Sequence, residues 1–145
     1  MELKDLNWQP YTLVTFYPGM KPLDRDIWQR FITKAPTAFA QVAYDVAIGA
    51  GAPFDTTVNK ETGGTANRLY QRKVDVLGAN GNVLLVIEVK PRASTAAIGQ
   101  VKGYAALVRR DLAPNGVIHP IILTDALLPE MELLAKAEGV TIIVV

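Results

Sequence analysis

The chain has 145 residues, half of them hydrophobic and a fifth charged, a globular composition that excludes disorder, collagen and a coiled-coil rod. Its net charge is +1, yet residues 60–110 carry nine cations against three acids while the rest of the chain carries six against eleven, so a nucleic-acid partner is not excluded. With no cysteine and one histidine, His119, disulfides, thiolate metal sites and two-histidine zinc sites are excluded, which leaves carboxylates, lysines and hydroxyl groups for chemistry.

The length predicts a single domain, with residues 1–35 as an N-terminal arm and short helix and residues 36–145 as the core. No stretch approaches the ~18 apolar residues of a membrane-spanning helix. The first ten residues include Glu2, Lys4 and Asp5, which is unlike a signal peptide. We therefore expect a cytoplasmic protein of a bacterial or phage-infected cell, without a membrane partner.

The first half of the chain predicts two helices. Four apolar residues follow one face of the first: Ile27, Trp28, Phe31 and Ile32. Asp24 or Asp26 is the expected start of this helix. Residues 38–48 are almost continuously apolar and end at a glycine-rich stop, which predicts a mostly buried helix. A short strand over residues 54–58 and a loop over residues 62–67 are expected to follow.

The middle of the chain predicts a β-hairpin and then a helix. Residues 70–77 and 83–90 are rich in β-forming residues, and Asn80-Gly81 between them is a pair favoured in tight turns. Residues 94–111 have Ser94 or Thr95 as a cap. The apolar stripe of that helix is Ile98, Val101, Ala105 and Val108.

The remaining segments predict a strand over residues 117–123, an amphipathic helix over residues 128–138 and a final buried strand over residues 140–145. The core order is then helix, three strands, helix, strand, helix and strand. This order predicts an α/β fold in which helices flank a mixed central β-sheet.

Three charged residues of the predicted hairpin fall on one face. With Asn80-Gly81 as the two-residue turn, Asp75 is the diagonal neighbour of Glu88, and Lys90 lies beside them. Two carboxylates at that separation can share Mg²⁺, which prefers oxygen ligands. The metal can activate a water against a phosphodiester, and a lysine can orient that water. The alternative interpretation is a set of solvent-facing residues in cross-strand charge pairs.

A longer pattern extends this group. Asp75, Glu88-Val89-Lys90, Gln100 and Tyr104 occur in this order, with twelve, nine and three residues between them. The pattern resembles the PD-(D/E)XK nuclease superfamily, in particular its RecB-like members, over about residues 36–123. The resemblance implies a restriction-endonuclease-like core and a metal-dependent nuclease that hydrolyses DNA phosphodiester bonds.

The resemblance also implies roles for these residues. Asp75 and Glu88 would bind Mg²⁺ or Mn²⁺, and Lys90 would orient the attacking water. Gln100 and Tyr104, one turn apart on the following helix, would support the substrate or Lys90. All five are therefore candidate catalytic residues.

The sequence departs from the family pattern at two places. Many relatives carry a glutamate on the first core helix, whereas the predicted helix over residues 38–48 offers only Gln41 and Asp45. Asp45 is an acid in an apolar stretch, so we expect a metal or a basic partner there and take it as a third candidate metal ligand. The family's proline before the aspartate is also missing, because Lys73-Val74 precede Asp75.

Several cations close to this pattern suit contacts with a phosphate backbone, and solubility is their alternative interpretation. They are Arg68, Arg72, Lys73, Arg92 and Lys102. The alternative function is a non-catalytic protein of the same fold, which binds nucleic acid or assists phage assembly, since residues 17–28 resemble segments of bacteriophage-encoded proteins. DNA or RNA as substrate, cleavage from an end or internally, and a homo-oligomer all stay open.

Overall fold

The computed structural model describes residues 2–49 and 72–145, which contain a six-stranded mixed sheet and three α-helices. Strands β1 to β4 are antiparallel neighbours, and β4, β5 and β6 run parallel. A 3₁₀ turn at Leu3–Asp5 is followed by β1 (Gln9–Pro10), α1 (Pro22–Lys34), β2 (Gln41–Ile48), β3 (Arg72–Asn80), β4 (Val83–Arg92), α2 (Thr95–Asp111), β5 (Val117–Ala126), α3 (Pro129–Ala137) and β6 (Thr141–Val144). The predicted α/β class with a mixed central sheet is confirmed.

Strand β2 corrects one prediction. The buried helix predicted over residues 38–48 is wrong, because residues 41–48 form β2, an antiparallel neighbour of β3. A short apolar run fits a buried strand as well as a buried helix, and the β-branched and aromatic residues Val42, Tyr44 and Val46 favour the strand. The helix that precedes the three central strands is therefore α1.

The other described elements follow their predictions closely. In α1 the four apolar residues of the predicted stripe are buried. The Ser94 side chain caps α2 by accepting a hydrogen bond from the Ala97 N–H at 3.1 Å. Strand β6 forms as predicted but is not buried throughout, because it lies at the sheet edge with Thr141 and Val144 exposed. The strand and loop predicted over residues 54–58 and 62–67 lie outside the described residues.

The sheet separates two hydrophobic cores. Helix α1 covers an aromatic core in which Trp28 stacks on Phe31 and donates a 3.0 Å hydrogen bond from Nε1 to the Tyr44 hydroxyl. Helix α2 covers an aliphatic core on the opposite face, where Val101 packs with Val86. No helix within residues 2–49 and 72–145 is long and apolar enough to cross a membrane.

Gly78 provides a test of this packing. A Cβ atom at Gly78 would lie 2.6 Å from two atoms of the Phe39 ring. We expect Gly78→Ala to lower the free energy of unfolding by about 1–3 kcal/mol through overpacking, as measured by urea denaturation. A Cβ at Gly99, on the exposed side of α2, meets no atom within 4 Å. Gly99→Ala is the control, and equal destabilisation by both changes would contradict the prediction.

Candidate active site

The β3–β4 hairpin brings Asp75 and Glu88 together. The ladder runs from Asn80↔Val83 to Val76↔Ile87, and the same register places Asp75 opposite Glu88. The prediction that Asp75 and Glu88 are diagonal neighbours depends on Asn80-Gly81 as the turn. The turn is instead Gly81-Asn82, with Gly81 at φ +60, and this one-residue difference moves the register by two.

Hydrogen bonds from the backbone hold both carboxylates. The Val89 N–H donates to Asp75 Oδ2 at 2.9 Å, and the Asp75 N–H donates to Glu88 Oε1 at 3.5 Å. Lys90 Nζ lies 3.8 Å from Glu88 Oε2. Each acidic side chain is thus fixed by the neighbouring strand, and the three charged groups form one cluster.

Asp75 and Lys90 of the cluster line an open cleft of about 600 Å³. Asp75, Val89, Lys90 and Pro91 form its sheet side. The residues that precede and begin α1 form the other side: Gly19, Lys21, Pro22, Leu23 and Asp24. The Glu88 side chain is outside this lining and only 2% exposed, whereas that of Lys90 is 36% exposed. Asp75 and Lys90 therefore face incoming molecules, and Glu88 lies behind them.

Burial dominates the electrostatics of the two carboxylates. It raises the pKa of Asp75, against the opposing effects of the Val89 hydrogen bond and the Lys90 charge. Burial raises the pKa of Glu88 to about 8, and the charge of Asp75 adds to the increase. The charge of Asp75 thus disfavours ionisation of Glu88, and a divalent cation between the two groups would favour their ionised forms.

The donor set fits a hard cation. Mg²⁺ is often held by one or two carboxylates and keeps several waters, and Mn²⁺ accepts the same ligands. Among residues 2–49 and 72–145, no group of three or more acidic, histidine or cysteine side chains could hold a metal ion. Asp75 and Glu88 could hold Mg²⁺ as a pair, with water or substrate completing its coordination.

Asp45, the third predicted ligand, does not join this pair. Its Oδ2 atom lies 3.7 Å from Lys73 Nζ, and its carboxylate packs against Gly19. The ion pair explains the placement, because Lys73 supplies the basic partner that an acid in an apolar segment requires. Its charge still acts at a distance, since it contributes to the raised pKa of Asp75.

Asp24 is a site residue that the sequence analysis missed. It stands in the first turn of α1, lines the cleft with Asp75 and Lys90, and its charge raises the pKa of Asp75. The sequence predicts the acid of the first core helix within residues 38–48, and residues 41–48 form a strand. The β-branched residues of that strand are the signal that would have placed this acid on α1.

Gln100 and Tyr104 line a depression other than the cleft. Gln100 Nε2 donates a 2.6 Å hydrogen bond to the Tyr104 hydroxyl. Both residues line a second depression on α2, together with Arg72, and this depression shares no lining residue with the cleft. Their predicted support of Lys90 stays a prediction.

The predicted phosphate-binding cations are divided among several environments. Arg68 lies outside the described residues. Arg72 and Arg92 are exposed, and Arg92 ends β4 two residues after Lys90. Lys73 and Lys102 form ion pairs with acidic side chains, which compete with phosphate for them. Arg92 is thus two residues from the cluster and has no competing ion pair in the described part of the chain.

Comparisons with known proteins give fold-level likeness. No family model and no curated protein matches the chain. A repair endonuclease from Pyrococcus abyssi is 17% identical over 91% of this chain and 49% of its own, with a TM-score of 0.49. An EndoMS–dsDNA complex is 17% identical over 89% of this chain and 47% of its own, with a TM-score of 0.47. The apo form of EndoMS is 25% identical over 48% of this chain and 33% of its own, with a TM-score of 0.41.

This chain thus spans from a third to about half of the length of those structures. TM-scores below 0.5 give these likenesses no weight for the chemistry of the site.

Proposed function

We propose that the protein is a metal-dependent nuclease that hydrolyses DNA phosphodiester bonds. One observation carries this proposal: two carboxylates and an ammonium group from adjoining strands form one cluster, and Asp75 and Lys90 of that cluster line an open cleft. Asp75 and Glu88 provide oxygen ligands, and Lys90 provides a cation that remains accessible to a substrate.

Each group has a part in phosphodiester hydrolysis. Asp75 and Glu88 would hold Mg²⁺ or Mn²⁺, which when bound polarises a phosphoryl oxygen and lowers the pKa of a water molecule. Lys90 donates hydrogen bonds to the attacking water or to a phosphate oxygen and stabilises the developing negative charge. Asp24 lines the same cleft and can accept a hydrogen bond from a water there.

The surroundings of the cluster suit a polyanion. Lys21 lines the cleft on the side opposite Lys90, and the exposed Arg92 extends the positive charge along β4. Such cations bind phosphates irrespective of base sequence. The proposed substrate is therefore held by its backbone, and the sequence of its bases has little influence on binding.

The proposal is tested by incubating the protein with plasmid DNA and end-labelled single-stranded DNA. We expect cleavage with Mg²⁺ or Mn²⁺ and none with EDTA. Asp75→Asn should raise the Mg²⁺ concentration for half-maximal cleavage by at least about tenfold, a loss that even outer-shell partners of a metal can cause. Glu130→Gln, at an exposed acid of α3, is the matched control and should cleave as the wild type does.

Two results would refute the proposal. Cleavage that persists in EDTA would show a metal-independent reaction. Binding of labelled DNA by the protein without cleavage, at any Mg²⁺ or Mn²⁺ concentration, would indicate a non-catalytic nucleic-acid-binding protein instead.

A further inference from the structure

In strands β2 and β3, the side chains change from one face of the sheet to the other at one pair of positions. On β2, Tyr44 packs in the core beneath α1, but Val46, two residues later, packs in the core beneath α2. On β3, Val76 and Val74 differ in the same way, and they are the ladder partners of Tyr44 and Val46. Regular strands keep residues i and i+2 on one face. Both strands therefore change faces at the residues between, which are Asp45 and Asp75.

The backbone shows the same interruption. The ladder includes Tyr44↔Val76 and Val46↔Val74 but has no Asp45↔Asp75 pair between them. Asp45 has φ +51 and is the one non-glycine residue with positive φ in the part of the chain that the structure describes. This left-handed conformation is uncommon outside glycine, although aspartate and asparagine tolerate it better than β-branched residues.

Two neighbours contact the Asp45 carboxylate. Lys73 pairs with its carboxylate, and a Cβ atom on Gly19 would lie 2.7 Å from Asp45 Oδ1. Only a glycine at position 19 allows the carboxylate to lie so close. Because Gly19 lines the cleft, Asp45 connects the cleft wall to the strand that pairs with β3.

The interruption leaves Asp75 without a ladder partner on β2, and its carboxylate accepts the Val89 N–H of β4. We infer that Asp45 is a positioning residue: its left-handed backbone breaks the β2–β3 ladder and thereby directs the Asp75 carboxylate to Val89 and the cleft. The inference rests on the proposed function, since it assigns a task to Asp45 in the same site. It gives Asp45 a conformational part in place of metal coordination.

The Val89 amide provides a readout that needs no substrate. Hydrogen exchange of this amide is measured by NMR in the metal-free full chain, relative to that of Ile122, a buried residue of β5. Asp45→Val disfavours positive φ, so we expect Val89 to exchange about tenfold faster relative to Ile122, as for loss of a charge-assisted hydrogen bond. Asp45→Ala also disfavours positive φ but has a smaller side chain, and it replaces Asp45→Val if that variant does not fold.

Asp45→Gly and Asp45→Asn both tolerate the left-handed conformation and are the matched controls. We expect both to keep Val89 exchange within about threefold of wild type and Asp45→Asn to keep the half-saturating Mg²⁺ concentration. In cleavage assays Asp45→Val should lower kcat about tenfold with little change in KM, because Asp75 is displaced while the phosphate-binding cations are not.

The outcomes separate this inference from the proposed function. Equal Val89 exchange in Asp45→Val and wild type, equal acceleration of Val89 and Ile122, or fast Val89 exchange in Asp45→Gly would each overturn the positioning role. A tenfold rise in the Mg²⁺ requirement of Asp45→Asn would make Asp45 a metal ligand and overturn it as well. If neither the wild type nor any variant cleaves DNA, the proposed function fails. The hydrogen exchange of the Val89 amide then still decides whether Asp45 positions Asp75.

Discussion

Lys90→Ala is expected to lower the rate of DNA cleavage by about 10²–10³-fold at saturating Mg²⁺, the loss typical when one group that stabilises the transition state is removed. The reason is the position of the ammonium group, which lines the cleft and lies 3.8 Å from Glu88 Oε2. The fold should be retained, because 36% of the Lys90 side chain is exposed and loss of its charge favours the protonated form of Glu88 that burial already favours. Initial rates on a labelled oligonucleotide measure the effect.

The controls for Lys90 separate charge from metal affinity. Lys90→Ala also removes a charge that lowers the pKa of both carboxylates, so the Mg²⁺ requirement should rise. Rates are therefore compared across a Mg²⁺ titration, and the loss should persist at saturation. Lys136→Ala, at an exposed lysine of α3, should leave the rate unchanged. Cleavage by Lys90→Ala within threefold of wild type at saturating Mg²⁺ would remove Lys90 from the reaction.

The hairpin and the helix after it could be predicted because their signals are local. An Asn-Gly pair between two β-rich runs indicates a hairpin, and Ser94 before a helical apolar stripe indicates an N-cap. Such features depend on residues a few positions apart. The meeting of Asp75 with Glu88 follows from the hairpin alone, so the centre of the candidate site was accessible to sequence reasoning.

The remaining parts of the site depend on contacts that are distant in sequence. Residues 41–48 are apolar enough for a helix, and pairing with β3 is what makes them a strand. Predicting which acid lies on the first core helix depends on telling this strand from a helix. The sequence therefore predicts Asp45, and not Asp24, as the acid of that helix. The left-handed backbone of Asp45 has no sequence signal of its own, since aspartate occurs in every region of a fold.

The position of the turn shows how small a difference matters in a hairpin. The composition of residues 80–82 allows either Asn80-Gly81 or Gly81-Asn82 at the tip. The choice decides whether Asp75 opposes Val86 or Glu88, and the hydrogen bonds of both carboxylates follow from it. A register shift of two keeps every side chain on its own face, so the alternation of apolar residues along the two strands allows both turns, and Leu85 and Ile87 both pack in the aromatic core.

The metal-free protein is expected to lose stability as the pH rises from about 5 to about 8. Burial raises the pKa of Glu88 from 4.5 to about 8, so the folded state holds a proton that the unfolded state has already released over this range. The stabilisation from this group is complete below the unfolded pKa and is lost as the pH rises through the folded pKa, with a slope of at most about 1.4 kcal/mol per pH unit for one proton. Urea denaturation at several pH values measures it.

Glu88→Gln tests this assignment, because an amide cannot titrate and nearly matches the carboxyl group in shape. The variant should show a much flatter dependence of stability on pH between 5 and 8, with a residual slope of the same sign from Asp75, whose pKa is also raised. Glu130→Gln, at an exposed acid, should keep the wild-type slope. Mg²⁺ should restore stability at pH 8 in the wild type, since it binds the ionised carboxylates, and much less in Glu88→Gln. A wild-type slope in Glu88→Gln would show that the pH dependence arises from other groups and that Glu88 is ionised throughout this range.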